Sequence, residues 1–184
     1  ISVPFGLLGL YPAEATTVLG SVCTAFFGAA IPEECAKLFV LWLVLRKNPF
    51  FDEKMDGIVY AVCVSLGFAA FENILYLFSD TESFLSIGIV RAIFAVPGHF
   101  CFGILMGYYY SIAKFYPKSS IKNKILVLLA PIIAHGLYDS ILFVMNVTPI
   151  ISGLLLIVFL VFCHKMWKYS SQRIEKHLRR DQIH

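Results

Sequence analysis

Long apolar runs separated by short polar segments constrain the fold of this chain more than any other feature. A membrane-spanning helix needs about 20 largely apolar residues, and five runs of this sequence approach or exceed that length. Hydrophobic residues make up 59% of the chain, charged residues make up 15%, and the mean hydropathy is +0.78. These values lie outside the usual range of soluble domains. We therefore expect an all-α, polytopic transmembrane bundle of about five to six membrane helices with a buried polar site and no separate soluble domain.

The predicted helices are bounded by short polar or charged segments. Pro32 either kinks the first helix or opens its second half, and Asp56 is a candidate N-cap of the second. Residues 1–10 are apolar but too short to span a bilayer, so we expect a processed terminus, the end of a further helix or a segment lying on the membrane. The predicted helices cover residues 17–45, 57–78, 87–116, 125–147 and 149 to about 164.

Basic residues follow a strict alternation along the chain. Thirteen of the 15 Lys and Arg residues lie in residues 46–56, residues 114–124 or the tail 164–184, and the two intervening turns carry none. The positive-inside rule predicts that loops 46–56 and 117–124 and the tail 164–184 are cytoplasmic. We interpret the basic tail as a topological element that faces the lipid bilayer, and we do not expect a nucleic acid as partner.

Charged and histidine side chains also occur inside the predicted membrane helices. An ionised group at mid-bilayer costs about 2.5–3.5 kcal/mol on insertion scales, so each needs a partner or a function. With a rise of about 1.5 Å per residue, the acids and histidines lie roughly 16–24 Å from the cytoplasmic helix ends, in one layer. Four helices therefore contribute to a common site. The intramembrane polar residues are Glu33, Glu34, Lys37, Glu72, Arg91, His99, His135 and Asp139.

The adjacent glutamates have a structural as well as a functional interpretation. Glu33 and Glu34 precede Lys37 by four and three residues, the spacing of an intrahelical ion pair. One lysine balances only one carboxylate, and adjacent helical residues point about 100° apart. The other glutamate should therefore face a different partner.

The remaining polar residues have structural alternatives too. Glu72 could pair with Arg91 on the next helix, and His99 could be a core histidine that donates to a carbonyl. Asp139 could simply hold His135, which precedes it by one helical turn. That role is also the one a carboxylate plays behind a catalytic or metal-binding histidine, so the two interpretations are compatible.

The charges of this layer do not balance. Its four carboxylates exceed its two cations by two, so either a divalent cation or protonation of the glutamates is needed. Glu72, His99 and His135 would supply the two imidazoles and one carboxylate that bind zinc in many hydrolases. Both alternatives place a water molecule beside a glutamate, which is the arrangement that hydrolysis requires.

Several motifs of known intramembrane hydrolases are absent from the sequence, among them His-Glu-x-x-His, Gly-x-Gly-Asp and Gly-x-Ser-Gly. Five other motifs occur in order: Glu33-Glu34-x-x-Lys37, Asp56-Gly-Ile-Val-Tyr60, Gly67-Phe-Ala-Ala-Phe-Glu-Asn-Ile-Leu-Tyr76, Arg91 with Pro97-Gly-His99, and His135-Gly-Leu-Tyr-Asp139. With these motifs, residues 32–143 resemble the PrsW family of intramembrane proteases, which is related to the CAAX prenyl-protease and bacteriocin-processing enzymes.

The resemblance implies a single integral membrane protease domain over residues 1–184, with its core in residues 15–163 and a basic cytoplasmic tail in residues 164–184. It implies an intramembrane peptidase of metallo- or glutamic type. The reaction would cut a membrane-anchored protein, such as an anti-sigma factor, in regulated proteolysis. The depth of the polar layer, together with the predicted topology, places the cut near the extracytoplasmic side of the substrate's spanning segment. The resemblance also implies functional roles for the paired glutamates, for Glu72 and for the histidines.

We predict three groups of functional residues. The catalytic group, in which Glu33 or Glu34 is the general base, contains Glu33, Glu34, Lys37 and Asp139. The second group contains Glu72, His99 and His135. These residues would bind a divalent metal, with zinc as the first candidate, or would polarise the carbonyl in a metal-free glutamate mechanism. The group expected to contact the substrate contains Phe68, Asn73 and Arg91.

Two other classes of function compete with this interpretation. Intramembrane acids and histidines also build the ion paths of proton- or cation-coupled transporters. Against a transporter, the sequence has no visible inverted repeat, and its polar residues form one layer instead of a column across the membrane. A non-catalytic scaffold or lipid-binding subunit would leave four intramembrane acids without a role.

Overall fold

The computed structural model describes residues 16–79, 84–116, 118 and 121–182, and the predictions made for residues 1–10 lie outside this part of the chain. The described residues form five helical units and no strand, which confirms the all-α prediction. Four of the units are long and apolar enough to cross a membrane. Large apolar side chains such as Leu154, Ile157 and Leu160 are exposed on the outside of the bundle, as expected where lipid replaces water.

The first unit, α1, is one continuous helix with a change of pitch. It comprises Val18–Cys23, the π-helical segment Thr24–Ala30 and the α-helix Ile31–Leu45. Thr17 caps its start through a 3.1 Å hydrogen bond from Gly20 N to Oγ1. Pro32 lies in the first turn of Ile31–Leu45, where the N–H group that proline lacks is least needed. Pro32 thus lies at the start of the second half of α1, directly after the π-helical segment.

The second and third units pack closely against each other. The second unit, α2, is Lys54–Ser79, and the third unit, α3, comprises Phe84–Val90, the π-helical segment Arg91–Ala95 and Val96–Phe115. A Cβ atom added at Gly107 of α3 would overlap the backbone of Gly57 and Ile58 of α2. Small residues allow such close contact between membrane helices, where van der Waals packing is a main stabilising force.

The last two units complete the bundle. The fourth unit, α4, is Ile121–Val147, and the fifth, α5, is the 3-10 turn Pro149–Ile151 followed by Ser152–Asp181. A Cβ atom added at Gly136 of α4 would overlap the ring of Phe26 in the π-helical segment of α1. The α1 and α4 helices are thus in direct contact beside His135.

The start of α2 corrects the predicted cap. The helix begins at Lys54, and the carboxylate of Asp56 accepts hydrogen bonds from the backbone N–H groups of Asp52 and Glu53 instead of capping at residue 56. The N–H groups of Lys54 and Met55 donate to the carboxylate of Asp181, at 3.1 and 2.9 Å. A residue from the far end of the chain therefore supplies the cap.

This contact brings the basic segments of the chain together. Lys54 Nζ also lies 3.1 Å from Asp181 Oδ1, and Lys114 Nζ donates to the carbonyl oxygen of Phe51 at 2.9 Å. The predicted tail is a helical continuation of α5, in which the side chain of His177 is fully buried against Tyr108. We call this region, formed by residues 46–54, 114–116, 118 and 173–181, the basic end of the bundle.

Candidate active site

The intramembrane polar residues predicted to share one depth form a single buried cluster between α1, α2, α3 and α4. Their exposed fractions are 1% for Glu33, 0% for Glu34, 1% for Lys37, 6% for Glu72, 4% for His99 and 4% for His135. Both π-helical segments directly precede residues of this cluster, at Pro32-Glu33 and at Val96–His99. Such segments are frequent at functional sites because they rotate the following side chains relative to a regular helix.

Lys37 connects the paired glutamates to the third helix. Its ammonium nitrogen lies 2.6 Å from Oε1 of Glu34 and 2.9 Å from Nδ1 of His99. Because an ammonium group can only donate, Nδ1 of His99 is the acceptor in this contact. The other ring nitrogen of His99, Nε2, faces Oε2 of Glu72 at 3.1 Å. The orientation of His99 is therefore fixed from both sides.

Glu34 also binds the histidine of the fourth helix. Its Oε1 atom accepts a hydrogen bond from Nδ1 of His135 at 2.8 Å, in addition to the one from Lys37. The other nitrogen of His135, Nε2, lies 3.3 Å from Oδ2 of Asp139 and 3.8 Å from Oε2 of Glu33. The intrahelical ion pair considered from the sequence exists, but it is one part of a network that joins α1, α3 and α4.

Arg91 completes the network on the side of α2. Its Nη2 atom lies 2.8 Å from Oε2 of Glu72, and its Nε atom donates to Oδ1 of Asn73 at 2.6 Å. The guanidinium carbon lies 4.0 Å from the ring centre of Tyr76. The pairing of Glu72 with Arg91 therefore coexists with the contact between Glu72 and His99.

A small cavity of about 110 Å³ opens among these groups. A water molecule occupies about 30 Å³ in the liquid, so the cavity has room for a few waters or a peptide group, but not for a helix. Its lining residues are Thr24, Gly28, Ala29, Glu33, Glu72, Tyr76, Arg91, Ala95, His99, Phe102, His135, Tyr138, Asp139 and Phe143.

One group of donor atoms in this cavity could hold a metal ion. Donor atoms of Glu33, Glu72 and His99 all lie within 4.8 Å of one another, and all three residues are buried. The Oε2 atom of Glu33 has no hydrogen-bond partner among the described residues. An unpartnered carboxylate oxygen in a buried site is costly, so this atom is suited to bind a ligand.

Comparison with known proteins identifies the family. A family model described as PrsW family intramembrane metalloprotease matches residues 3–165. The chain belongs to this family. It is similar to proteins named Protease PrsW from three bacteria. The protein of Clostridioides difficile strain 630 is 38% identical over 85% of this chain and 65% of the relative. The protein of Oceanobacillus iheyensis is 45% identical over 64% of this chain and 54% of the relative, and that of Bacillus subtilis strain 168 is 40% identical over 67% of this chain and 56% of the relative.

The chain thus spans between about half and two thirds of the length of these PrsW relatives. No solved structure matches it.

The PrsW family is described as a metalloprotease family, and the donor set fits a metal ion. Carboxylate oxygens and imidazole nitrogens are both ligand types that zinc takes in proteins. The cluster also brings four carboxylates together with only Lys37 and Arg91 as permanent cations, so a divalent ion would compensate its charge. The structure thus offers chemically suitable residues at a site with uncompensated negative charge.

The converging donors differ in one member from the set predicted by the sequence. Glu72 and His99 belong to both sets, but Glu33 takes the third place in the structure. Both ring nitrogens of His135 face carboxylates of Glu34, Asp139 and Glu33, and its ring centre lies 5.5 Å from that of His99. His135 therefore lies beside the donor group.

The three residues predicted to contact substrate have different positions. Arg91 lines the cavity, whereas Phe68 and Asn73 are not among its lining residues. The ring of Phe68 lies 4.9 Å from the ammonium group of Lys37, and Asn73 binds Arg91. Both contacts hold polar groups of the site in position.

Sequence reasoning overlooked the aromatic walls of the site. Phe102 stacks on His135 with ring centres 4.7 Å apart, and Tyr138 packs edge-on against Phe102 at 5.9 Å. Each follows a histidine of the site by three residues, which is the spacing of neighbours on one helix face. This spacing was the signal that could have identified them.

Proposed function

We propose that this chain carries the active site of an intramembrane endopeptidase that hydrolyses a peptide bond in a membrane-anchored protein. The observation that carries the proposal is the buried group of Glu33, Glu72 and His99, whose donor atoms converge on a cavity. A buried site with an unpartnered carboxylate oxygen and a water-sized space is suited to hydrolysis inside a membrane. Membership of the PrsW family supports the same assignment.

In this proposal Glu33, Glu72 and His99 hold a divalent ion, with zinc as the ion that the donor set suits. A bound zinc ion supplies Lewis acidity, which makes a water molecule more nucleophilic and polarises a peptide carbonyl. In the structure the Lys37 ammonium donates to Nδ1, which places the ring proton on Nε2, the atom that faces Glu72. To serve as a metal ligand through Nε2, His99 would have to carry its proton on Nδ1 instead, and its contact with Lys37 would have to change.

His135 and Asp139 move the proton in the proposed reaction. The Nδ1–H group of His135 is committed to Glu34, while Nε2 and Asp139 both border the cavity. This pair, whose nearest atoms are 3.3 Å apart, accepts a proton from the attacking water and returns it to the leaving amide nitrogen. Arg91, which also borders the cavity, donates to the carbonyl oxygen as negative charge develops there.

We propose that the substrate is cut near the extracytoplasmic end of its spanning segment. By helix rise, Glu72 and His99 lie about 24 to 27 Å from the basic end of the bundle, measured from Lys54 and from Phe115. If the basic end is cytoplasmic, as the positive-inside rule predicts, this depth is close to the outer surface. An anti-sigma factor anchored by one helix is a substrate of this kind.

Cleavage of a membrane-anchored reporter by the full chain in lipid nanodiscs tests the proposal. Glu33→Gln should lower the cleavage rate by about 10²-fold or more, since it removes one carboxylate from the group. Glu53→Gln, at an exposed loop position, is the matched control and should leave the rate unchanged. Terminal sequencing of the products gives the position of the cut. Cleavage by Glu33→Gln at the unaltered rate would refute the assignment.

A further inference from the structure

A second cavity, far from the candidate active site, lies at the basic end of the bundle. Its volume is about 770 Å³, and it lies between the end of α3 and the last turns of α5. Four cations line it: Lys118, which follows α3, and Arg173, Lys176 and Arg180, whose spacing places them on one face of α5. The other wall includes Tyr108, Tyr109 and Tyr116, which are typical of the membrane–water interface.

The cations of this cavity lack acidic partners. Among the described residues, ion pairs are formed by the neighbouring Arg179 with Glu175 and by Lys54 with Asp181, but by none of the four cavity cations. The Nε atom of Arg173 and the Nη1 atom of Arg180 are buried and have no hydrogen-bond partner among those residues. A ligand that carries acceptor oxygens would satisfy such donors.

The tyrosine rings hold these guanidinium groups in place. The guanidinium carbon of Arg173 lies 5.0 Å from the ring centre of Tyr108 and 4.0 Å from the ring centre of Tyr169. The guanidinium carbon of Arg180 lies 5.5 Å from the ring centre of Tyr116. Arg173 also donates to the hydroxyl of Tyr169. Stacking leaves the edge of a guanidinium group free for acceptors and reduces the entropy lost when an anion binds.

We propose that this cavity binds the phosphate group of an anionic phospholipid of the leaflet at the basic end. Arginine presents a planar set of donors that matches phosphate oxygens, and basic pockets at the membrane surface are suited to lipid headgroups. The tyrosines place the cavity at headgroup level, where a lipid can reach it without leaving the bilayer. The bound lipid links α5 to α3 and so holds the last helix against the bundle.

The test measures binding of fluorescent phosphatidylglycerol to the full chain in phosphatidylcholine nanodiscs. Neutralising the three cavity cations of α5 together, as Arg173→Gln/Lys176→Gln/Arg180→Gln, should weaken binding by about 10²-fold, at about fivefold for each cation near the surface. The matched control, Lys165→Gln/Lys168→Gln/Arg179→Gln, removes three exposed cations of the same helix that do not line the cavity. It should change binding by a few-fold at most. Equal weakening by both triple variants would overturn the proposal.

Two further measurements keep the result decisive. Lys176→Gln alone changes an exposed side chain and should weaken binding by about fivefold even if the triple variant does not fold. Wild-type affinity in this variant would contradict the assignment.

A separate arm of the experiment adds inorganic phosphate as a competitor of the labelled lipid. Displacement of the labelled lipid by millimolar phosphate would identify free phosphate as the ligand and refute the lipid assignment.

Discussion

The ammonium nitrogen of Lys37 lies 2.9 Å from Nδ1 of His99, a contact between α1 and α3 in the interior of a membrane bundle. The same nitrogen binds Glu34 at 2.6 Å, so one cation orients a carboxylate on its own helix and an imidazole on another. We predict that Lys37→Met lowers the free energy of unfolding in detergent by about 3–5 kcal/mol, because it leaves Glu34 buried with one charged partner fewer.

The control for this prediction is Lys47→Met, which removes an exposed loop cation. A second variant isolates the pair: adding Glu34→Gln to Lys37→Met should recover part of the stability, because the uncompensated charge is gone. Unchanged stability of Lys37→Met would show that the contact contributes nothing.

The two adjacent glutamates should respond differently to the same substitution. Oε2 of Glu33 has no hydrogen-bond partner within the described part of the chain and lies 3.8 Å from Nε2 of His135. In metal-free protein, Glu33→Gln should therefore leave the stability unchanged or raise it, while activity is lost. Glu34 accepts hydrogen bonds from Lys37 and His135, so Glu34→Gln should lower the stability by about 3 kcal/mol or more. Chemical unfolding after chelator treatment provides the comparison. Equal effects of the two substitutions on stability would contradict the distinction.

Metal content distinguishes the two candidate ligand sets. The structure predicts that Glu33→Ala, Glu72→Ala and His99→Ala each lose the bound ion, whereas His135→Ala keeps it and loses only cleavage. The sequence prediction assigns His135 to the ion and leaves Glu33 outside. Elemental analysis of the purified variants decides between them, with Glu53→Ala as the control. Stoichiometric metal in Glu33→Ala together with loss in His135→Ala would favour the sequence-based set.

The long-range cap of α2 gives a prediction at the basic end. Asp181→Asn removes the charge that accepts from the N–H groups of Lys54 and Met55 and that pairs with the Lys54 ammonium. We expect a loss of about 1 kcal/mol in unfolding free energy and faster hydrogen exchange at the Met55 amide. Glu175→Gln, which breaks the exposed pair with Arg179, should have a smaller effect. Identical exchange in wild type and Asp181→Asn would argue against the cap.

Sidedness is tested by labelling single-cysteine variants in a background without the five native cysteines. The positive-inside rule predicts that Glu53→Cys reacts with an impermeant reagent only from the cytoplasm and that Ile150→Cys, at a position 98% exposed, reacts only from outside. Both positions are accessible in the structure, so a missing signal cannot be ascribed to burial. Labelling of Glu53→Cys from outside would invert the proposed topology.

The sequence predicted the helices and the shared depth of the polar residues because both depend on position along the chain. Apolar length defines a membrane helix, and helix rise converts residue number into depth. The expectation that Lys37 balances one glutamate while the other faces elsewhere is also confirmed, since Glu34 binds Lys37 and Glu33 faces His135. Adjacent helical residues must point in different directions.

Contacts that depend on how helices rotate against each other could not be predicted in the same way. Glu33, and not His135, completes the donor group with Glu72 and His99. This arrangement depends on the packing of four helices and on the π-helical segments before Pro32 and Pro97. The cap by Asp181 joins residues more than 120 positions apart, and no local sequence pattern predicts it. Local rules instead favoured Asp56, which is close in sequence and has the right chemistry.

The paired glutamates have a consequence for how the bundle assembles. Lys37 compensates Glu34 within α1, whereas Glu33 faces His135 on α4, so α1 alone brings two carboxyl groups and one ammonium group into the bilayer. Because α4 carries this partner of Glu33, we expect insertion of α1 to be coupled to its docking against α4.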